Sequence, residues 1–206
     1  MITLDRNQFI AMKLGKLNQE IVLDIGCRDK IFKNSLQGDF KYIGIDYNPE
    51  NNTNDNGFIN HNLENGMPSN LESIDIINAA DVLEHIDNIH DIFNSCLNVA
   101  NKKIAIALPN MAYYKFRIKL LLTGEISGKY TFHSKKGLDR HKWFTTYYNN
   151  IKFIESNTPK NWEIKHYNFI AQRKRNFIFY IMEKFFSKFF PKLFVYENIF
   201  IIEKIN

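Results

Sequence analysis

Two acidic residues, Asp24 and Asp46, each close a short run of branched apolar residues, some twenty positions apart. The first run, Ile21-Val22-Leu23, passes through Asp24-Ile25 into Gly26, where the chain must turn sharply at a sheet's carboxyl edge. The second, Tyr42-Ile43-Gly44-Ile45, ends in Asp46, a carboxylate placed to accept hydrogen bonds from both hydroxyls of a ribose. Two strands, a glycine turn and a spaced acid describe a site for a nucleoside-containing ligand. A dinucleotide fingerprint is the rival, but it wants three glycines, and Arg28 and Lys30 stand where further ones would fall. Their backbone N–H groups remain usable, while their side chains narrow the approach.

A second informative stretch is Ala80-Asp81-Val82-Leu83-Glu84-His85-Ile86. Asp81, Glu84 and His85 share one face if this turn is helical. Three such groups can hold a divalent cation or run acid–base chemistry. Further candidates lie downstream, His133 and, in Asp139-Arg140-His141-Lys142-Trp143-Phe144, His141. Either imidazole can change charge near neutral pH. His141 is the stronger of the two, because Trp143 and Phe144 would anchor it.

These motifs resemble those of class I S-adenosylmethionine (SAM) dependent methyltransferases. Asp24-Ile25-Gly26-Cys27 followed by Gly44-Ile45-Asp46 looks like the family's opening, and Leu83-Glu84-His85 like its signature after strand four. Pro109-Asn110 followed by Arg117, Leu120-Leu121-Leu122 and Gly124 is similar to the MetW-like and type 11-like members, so the resemblance runs from about Ile21 to Phe153. It implies a Rossmann-like, seven-stranded, mostly parallel sheet with helices on both faces and an antiparallel last strand. Carried over residue by residue, it places Asp24, Gly26, Cys27 and Arg28 in the SAM loop and Asp46 with Tyr47 at the ribose. Asn62 and Leu63 fall beside adenine, and Ala80 with Asp81 beside the methionine part. His141, Glu84 and His85 are the catalytic candidates. Metal-dependent relatives that methylate ubiquinone precursors or small-RNA ends pair a Glu-x-x-Glu-His run with a later His. Here Asp81 replaces the first Glu, and the Arg140 guanidinium would oppose a second positive charge beside His141. The expectation is therefore a site with no tightly bound metal.

The positioning elements follow from periodicity. An amphipathic helix is expected within Leu4–Leu17, then a strand, a crossover helix over Asp29–Leu36 and the strand ending at Asp46. An Asn-rich turn segment precedes a third strand over Phe58–Leu63, a fourth over Ile74–Ala80, a helix over Asp87–Ala100 and a fifth strand over Lys103–Leu108. Asn110 is placed to cap the next helix, and Tyr113, Tyr114 and Phe116 to roof a pocket or fill the core. Residues 111–145 read as a substrate lid. Trp162–Tyr167 and Tyr196–Ile202 read as the last two strands.

Length and composition bound the rest. The 206 residues, 45% hydrophobic and 24% charged, suit one domain spanning 1–206, with no repeats and no linker. Two cysteines imply no disulfide framework, no apolar run is long enough to span a bilayer, and no leader is apparent, so a cytoplasmic location fits. A net charge of +5 favours acidic partners without specifying nucleic acid. Residues 173–192 read as one aromatic, lysine-bearing helix ending at Pro191. It would pack on its own domain, on a second subunit of a homodimer, or on an anionic membrane surface. The function that follows is methyl transfer from SAM to a small-molecule or glycolipid/saccharide-type acceptor. The alternative is a non-catalytic SAM-binding or partner-regulating protein.

Overall fold

The computed structural model describes residues 4–47, 57–71, 73–126, 128–130, 140–170 and 177–205. Helix α1 (Arg6–Leu14) opens on a capping box in which Asp5 and Gln8 satisfy each other's backbone N–H groups. Strands β1 (Leu17–Ile25) and β2 (Gly38–Asp46) follow, then β3 (Phe58–Asn60), β4 (Ile76–Ala80), helix α2 (Ile89–Val99) and strand β5 (Lys103–Pro109). Helices α3 (Tyr114–Thr123) and α4 (Tyr147–Asn157) precede β6 (Trp162–Phe169), α5 (Phe177–Phe189), the short α6 (Pro191–Phe194) and β7 (Glu197–Lys204).

One seven-stranded sheet runs in the order β3-β2-β1-β4-β5-β7-β6. Its first five strands pair in parallel, and β7 lies antiparallel between β5 and β6. The reversal of strand order between β1 and β4 opens a crevice at their carboxyl ends, the place where ligands bind in such sheets. Alternation along each strand divides the core between the faces. Leu23, Ile77, Ile104 and Phe200 pack with Phe93 of α2 and Ile154 of α4. Val22, Ile76, Ala105, Ala107 and Ile199 pack with Ile10 and Leu14 of α1.

Several expected elements differ in extent or kind. The crossover helix over Asp29–Leu36 is only a tight turn over Lys33–Ser35. Arg28 (φ 41) and Lys30 (φ 56) are left-handed, which interrupts any right-handed helix and leaves too few residues for another before Gly38. The third strand ends at Asn60, and Pro191 starts α6 as well as following α5. Asn110 does not cap α3; its amide donates to the carbonyls of Lys192 and Val195, and its Oδ1 accepts from the Ala112 N–H. Tyr113 belongs to the core, 1% exposed, with its hydroxyl on Glu183. Helix α4 was not foreseen, although Tyr147, Ile151 and Ile154 carry its period. His133 and the 173–176 part of the aromatic helix lie outside the described residues.

Gly26 fixes the first turn. At φ 69 its backbone favours glycine, and an added Cβ would stand 2.4 Å from Val82 Cγ2. Gly26→Ala is therefore expected to destabilise the fold by about 1–3 kcal/mol, read from the urea midpoint at constant slope.

Candidate active site

The cofactor-side residues gather at the carboxyl ends of β1, β2 and β4. Asp24 is 3% exposed and does not face the crevice; it accepts from the Tyr42 hydroxyl and, at 2.7 Å, from the Asn78 amide. Burial pushes its carboxyl up to about 6. Its role is to tie β2 and β4 to β1 and so shape the loop. The Gly26 and Cys27 N–H groups are both turned to the Ile45 carbonyl. The Cys27 side chain is buried in the core, with its thiol pushed up to about 12 by burial and by the neighbouring Asp24 charge.

Asp46 remains at the crevice, half-buried. One of its oxygens accepts from the Arg28 N–H at 2.7 Å, and the other from the Tyr47 N–H at 2.7 Å. A carboxylate has about four lone-pair sites, so two remain for ribose hydroxyls. Tyr47 is 44% exposed beside it. Asn62 caps the turn at Leu63–Asn65 through its Oδ1, which accepts from the Glu64 N–H at 3.0 Å. Leu63 is 8% exposed and packs in the main core cluster. The loop fits a nucleoside: the glycine conformation holds it tight against Val82, and Asp46 keeps acceptor capacity open.

Ala80 ends β4 and Asp81 follows it, and here the expected common face breaks. Asp81 is left-handed (φ 55) and Leu83–His85 form a 3₁₀ turn, so the three groups do not share one α-helical face. The Asp81 carboxylate instead pairs with Arg6, whose guanidinium also reaches Glu197 at 3.2 Å. Nothing in the spacing of residues 6, 81 and 197 announced this network. Glu197 is 2% exposed, and its carboxyl lies well above the ordinary range through burial and the Asp81 charge.

Glu84, His85 and His141 do come together, their ligand atoms all lying within 4.8 Å of one another. His141 is carried there by backbone: the Lys142 N–H donates to the Glu84 carbonyl at 2.8 Å, and the Trp143 N–H at 3.3 Å. Side chains reinforce the staple. Trp143 Nε1 donates to the Ile86 carbonyl, while Lys142 Nζ bridges Glu64 and Asp87, each at 2.6 Å. Phe144 instead lies against Tyr130.

The geometry also fixes the imidazole tautomers. A carbonyl can only accept, so His85 Nδ1 donates to the Arg140 carbonyl at 3.0 Å. The Tyr130 hydroxyl donates to the Trp143 carbonyl at 2.6 Å and therefore accepts from His141 Nδ1 at 3.0 Å. With Nδ1 carrying the proton in each neutral ring, the Nε2 lone pairs face inward, each 3.9 Å from Glu84 Oε1. Glu84 is fully buried, and among the described residues no hydrogen-bond donor meets either of its oxygens. Burial and the Asp81 charge push its carboxyl up to about 8. Two nitrogens and a carboxylate facing one another suit a divalent cation, and three protein ligands leave positions open for other oxygens. Two grounds for expecting a metal-free site bear on this geometry. Asp81 is indeed no ligand, but the Arg140 side chain is exposed while its carbonyl orients His85. Val82 joins the two halves, since it packs against Gly26 two residues before Glu84.

A family profile described as a methyltransferase domain matches residues 6–111. No match was found among curated protein sequences. Similar solved structures include the small RNA methyltransferase HEN1, at 14% identity and a TM-score of 0.68, over 98% of this chain and 25% of that one. The chain thus spans a quarter of that structure's length. A SAM-dependent methyltransferase from Archaeoglobus fulgidus matches at 15% identity and a TM-score of 0.53, over 96% of this chain and 94% of the other. The plantazolicin methyltransferase BpumL, in complex with SAH, matches at 17% identity and a TM-score of 0.55, over 97% and 82%. None of them singles out the MetW-like subgroup. With the sheet order, the crevice and the residues at its edge, the profile match shows that the chain belongs to the methyltransferase domain family, whose cofactor is SAM.

Proposed function

We propose that the chain transfers the SAM methyl group to an oxygen of a hydroxyl-bearing small-molecule or glycolipid/saccharide-type acceptor, oriented by a divalent cation on Glu84, His85 and His141. The observation that carries this reading is the convergence of two imidazoles on the buried Glu84 carboxylate, two residues after Val82, which packs on the Gly26 turn. One structural relative is named as a small RNA methyltransferase, so hydroxyl-bearing acceptors that include RNA belong among those to be tested. A cation there would lower the pKa of the acceptor hydroxyl and hold its oxygen.

The chain's own residues position the reactants. Displacement at a sulfonium methyl is in line, so orientation is the main contribution. Asp46 takes the ribose, and Asp24, through Tyr42 and Asn78, keeps the Gly26 turn at the strand ends. His85 and His141 present nitrogen lone pairs because the Arg140 carbonyl and the Tyr130 hydroxyl hold their protons on Nδ1. Transfer of labelled methyl from SAM to hydroxyl-bearing acceptors, lost on chelation and restored by Mn²⁺, is the expected result. SAM binding with no transfer to any extract-derived acceptor would favour the non-catalytic reading.

Three measurements follow. Asp46→Ala is expected to weaken SAM binding by more than about tenfold in calorimetry, since two charge-assisted contacts are lost, with Asp46→Asn intermediate and both variants folded. Arg28→Gly is expected to keep or improve SAM affinity, because glycine adopts φ 41 freely and removes a crowding side chain. A clear loss would instead assign the guanidinium to the cofactor carboxylate.

The third concerns the cation. Glu84→Gln should lower Mn²⁺ affinity by more than about tenfold in calorimetry while leaving SAM binding intact. Glu84's folded value, about 8, lies above its unfolded one. Its contribution to stability without metal is therefore full at low pH and is lost as pH rises through that value. Mn²⁺ must displace the Glu84 proton, so it should raise Tm more above pH 8 than near pH 6. Equal Tm shifts, or unchanged Mn²⁺ affinity in Glu84→Gln, would return the site to a metal-free reading.

A further inference from the structure

Helix α5 buries two polar residues and leaves a broad apolar stripe exposed, although Phe186 stacks inward on Phe194. Its inward side carries Glu183, 0% exposed, and Ser187, 7% exposed. Its outward side carries Ile181, Phe185 and Phe189 at 50%, 56% and 64% exposure. The arrangement is held in place, since Glu183 accepts from the hydroxyls of Tyr113 and Tyr114 at 2.7 and 2.8 Å and meets Lys115 Nζ at 3.5 Å. The same contacts fasten the start of α3 against α5. From Arg117 onward every residue of α3 is exposed, with Leu121 at 84% and Leu122 at 77%.

So much aliphatic and aromatic surface on two adjoining helices marks an interaction site. Lys184 and Lys188 border the α5 stripe, both exposed, and Lys119 and Lys192 lie on the neighbouring α3 and α6. We infer that the joined faces of α3 and α5 dock on an anionic lipid surface, Phe185, Phe189, Leu121 and Leu122 entering the acyl boundary and the lysines meeting head groups. The charge pattern selects this occupant. A two-fold interface brings a patch to itself and would set these lysines against their own copies. Of the nearby acids, Glu183 is buried and Glu125 pairs with Lys119 at 3.2 Å. An apolar stripe bordered by lysines is instead what an interfacial helix presents to acidic lipid. Among the described residues no helix is long and apolar enough to cross a membrane, so the contact lies along the surface.

The test is co-sedimentation of the full chain with phosphatidylcholine vesicles, with and without phosphatidylglycerol, at low and high salt. Binding to the anionic vesicles that weakens with salt is expected. Phe185→Ser with Phe189→Ser should abolish it, and Lys184→Glu with Lys188→Glu should cut it by more than about tenfold, near fivefold for each lysine removed. Both pairs of changes lie on the outward side, so circular dichroism and SAM affinity should stay unchanged. Should Phe185→Ser/Phe189→Ser unfold the chain, Leu121→Ser with Leu122→Ser on the exposed α3 repeats the measurement. Absence of anionic-vesicle binding by the unaltered chain, or binding untouched by these changes, would overturn the inference. A concentration-dependent dimer that the phenylalanine changes dissolve, without vesicle binding, would assign the face to a second copy.

Discussion

A carboxylate held away from water, with no donor on its oxygens among the described residues, is the constraint around which this site is arranged. Leaving an ionised Glu84 in such a place costs several kcal/mol unless a positive charge or a proton meets it. The surrounding structure supplies neither through hydrogen bonds among the described residues. It supplies two imidazoles at equal distance, their outer nitrogens anchored on a backbone carbonyl and a tyrosine hydroxyl. A carbonyl anchor of this kind orients the ring and sharpens its ligating nitrogen. The neighbouring Asp81, whose charge adds to the effect of burial on Glu84, pairs with Arg6. These features share one consequence, a buried carboxylate and two ring nitrogens in an arrangement that would suit a divalent cation.

The cofactor side rests on a different kind of buried carboxylate. Asp24 is satisfied on both oxygens, and its partners come from the strands on either side of β1. That bond set crosses the point where strand order reverses, so it fixes the crevice as well as the turn that follows. The loop beyond it achieves with Arg28 and Lys30 the left-handed conformations that glycines adopt without strain. Each such residue costs on the order of 1–2 kcal/mol, and the Arg28 N–H bond to Asp46 helps to hold it there.

Helices α3 and α5 lie in the connections around the later strands, and both leave large apolar side chains exposed, while α5 also buries Glu183 and Ser187. Glu183 shows why the arrangement is stable: two tyrosine hydroxyls and a lysine compensate its burial. The connection that begins with α3 also contains His141, so the exposed helix and this imidazole share one connection between β5 and α4.

The parallel sheet, its antiparallel edge and the acids at the ends of β1 and β2 were legible in the order of residues. Strand periodicity, a glycine turn and spacing along the chain are local properties, set by backbone sterics and alternation. Glu84, His85 and His141 could be named as candidates for the same reason, since residue type is visible without a fold. Their meeting was not legible, because it depends on Lys142 and Trp143 bonding to the Glu84 carbonyl across nearly sixty residues of chain. The face that Asp81 would share with them in an α-helical turn does not form, because its left-handed backbone and Arg6 turn it away. The crossover helix failed for a similar reason, its pattern being overridden by the loop conformation at Arg28 and Lys30. Composition alone could not tell which side of α5 faces water, since its apolar residues cover most of the circumference. The tertiary structure decided that by giving Glu183 partners inside, a choice that rests on hydrogen bonds between residues far apart in the chain.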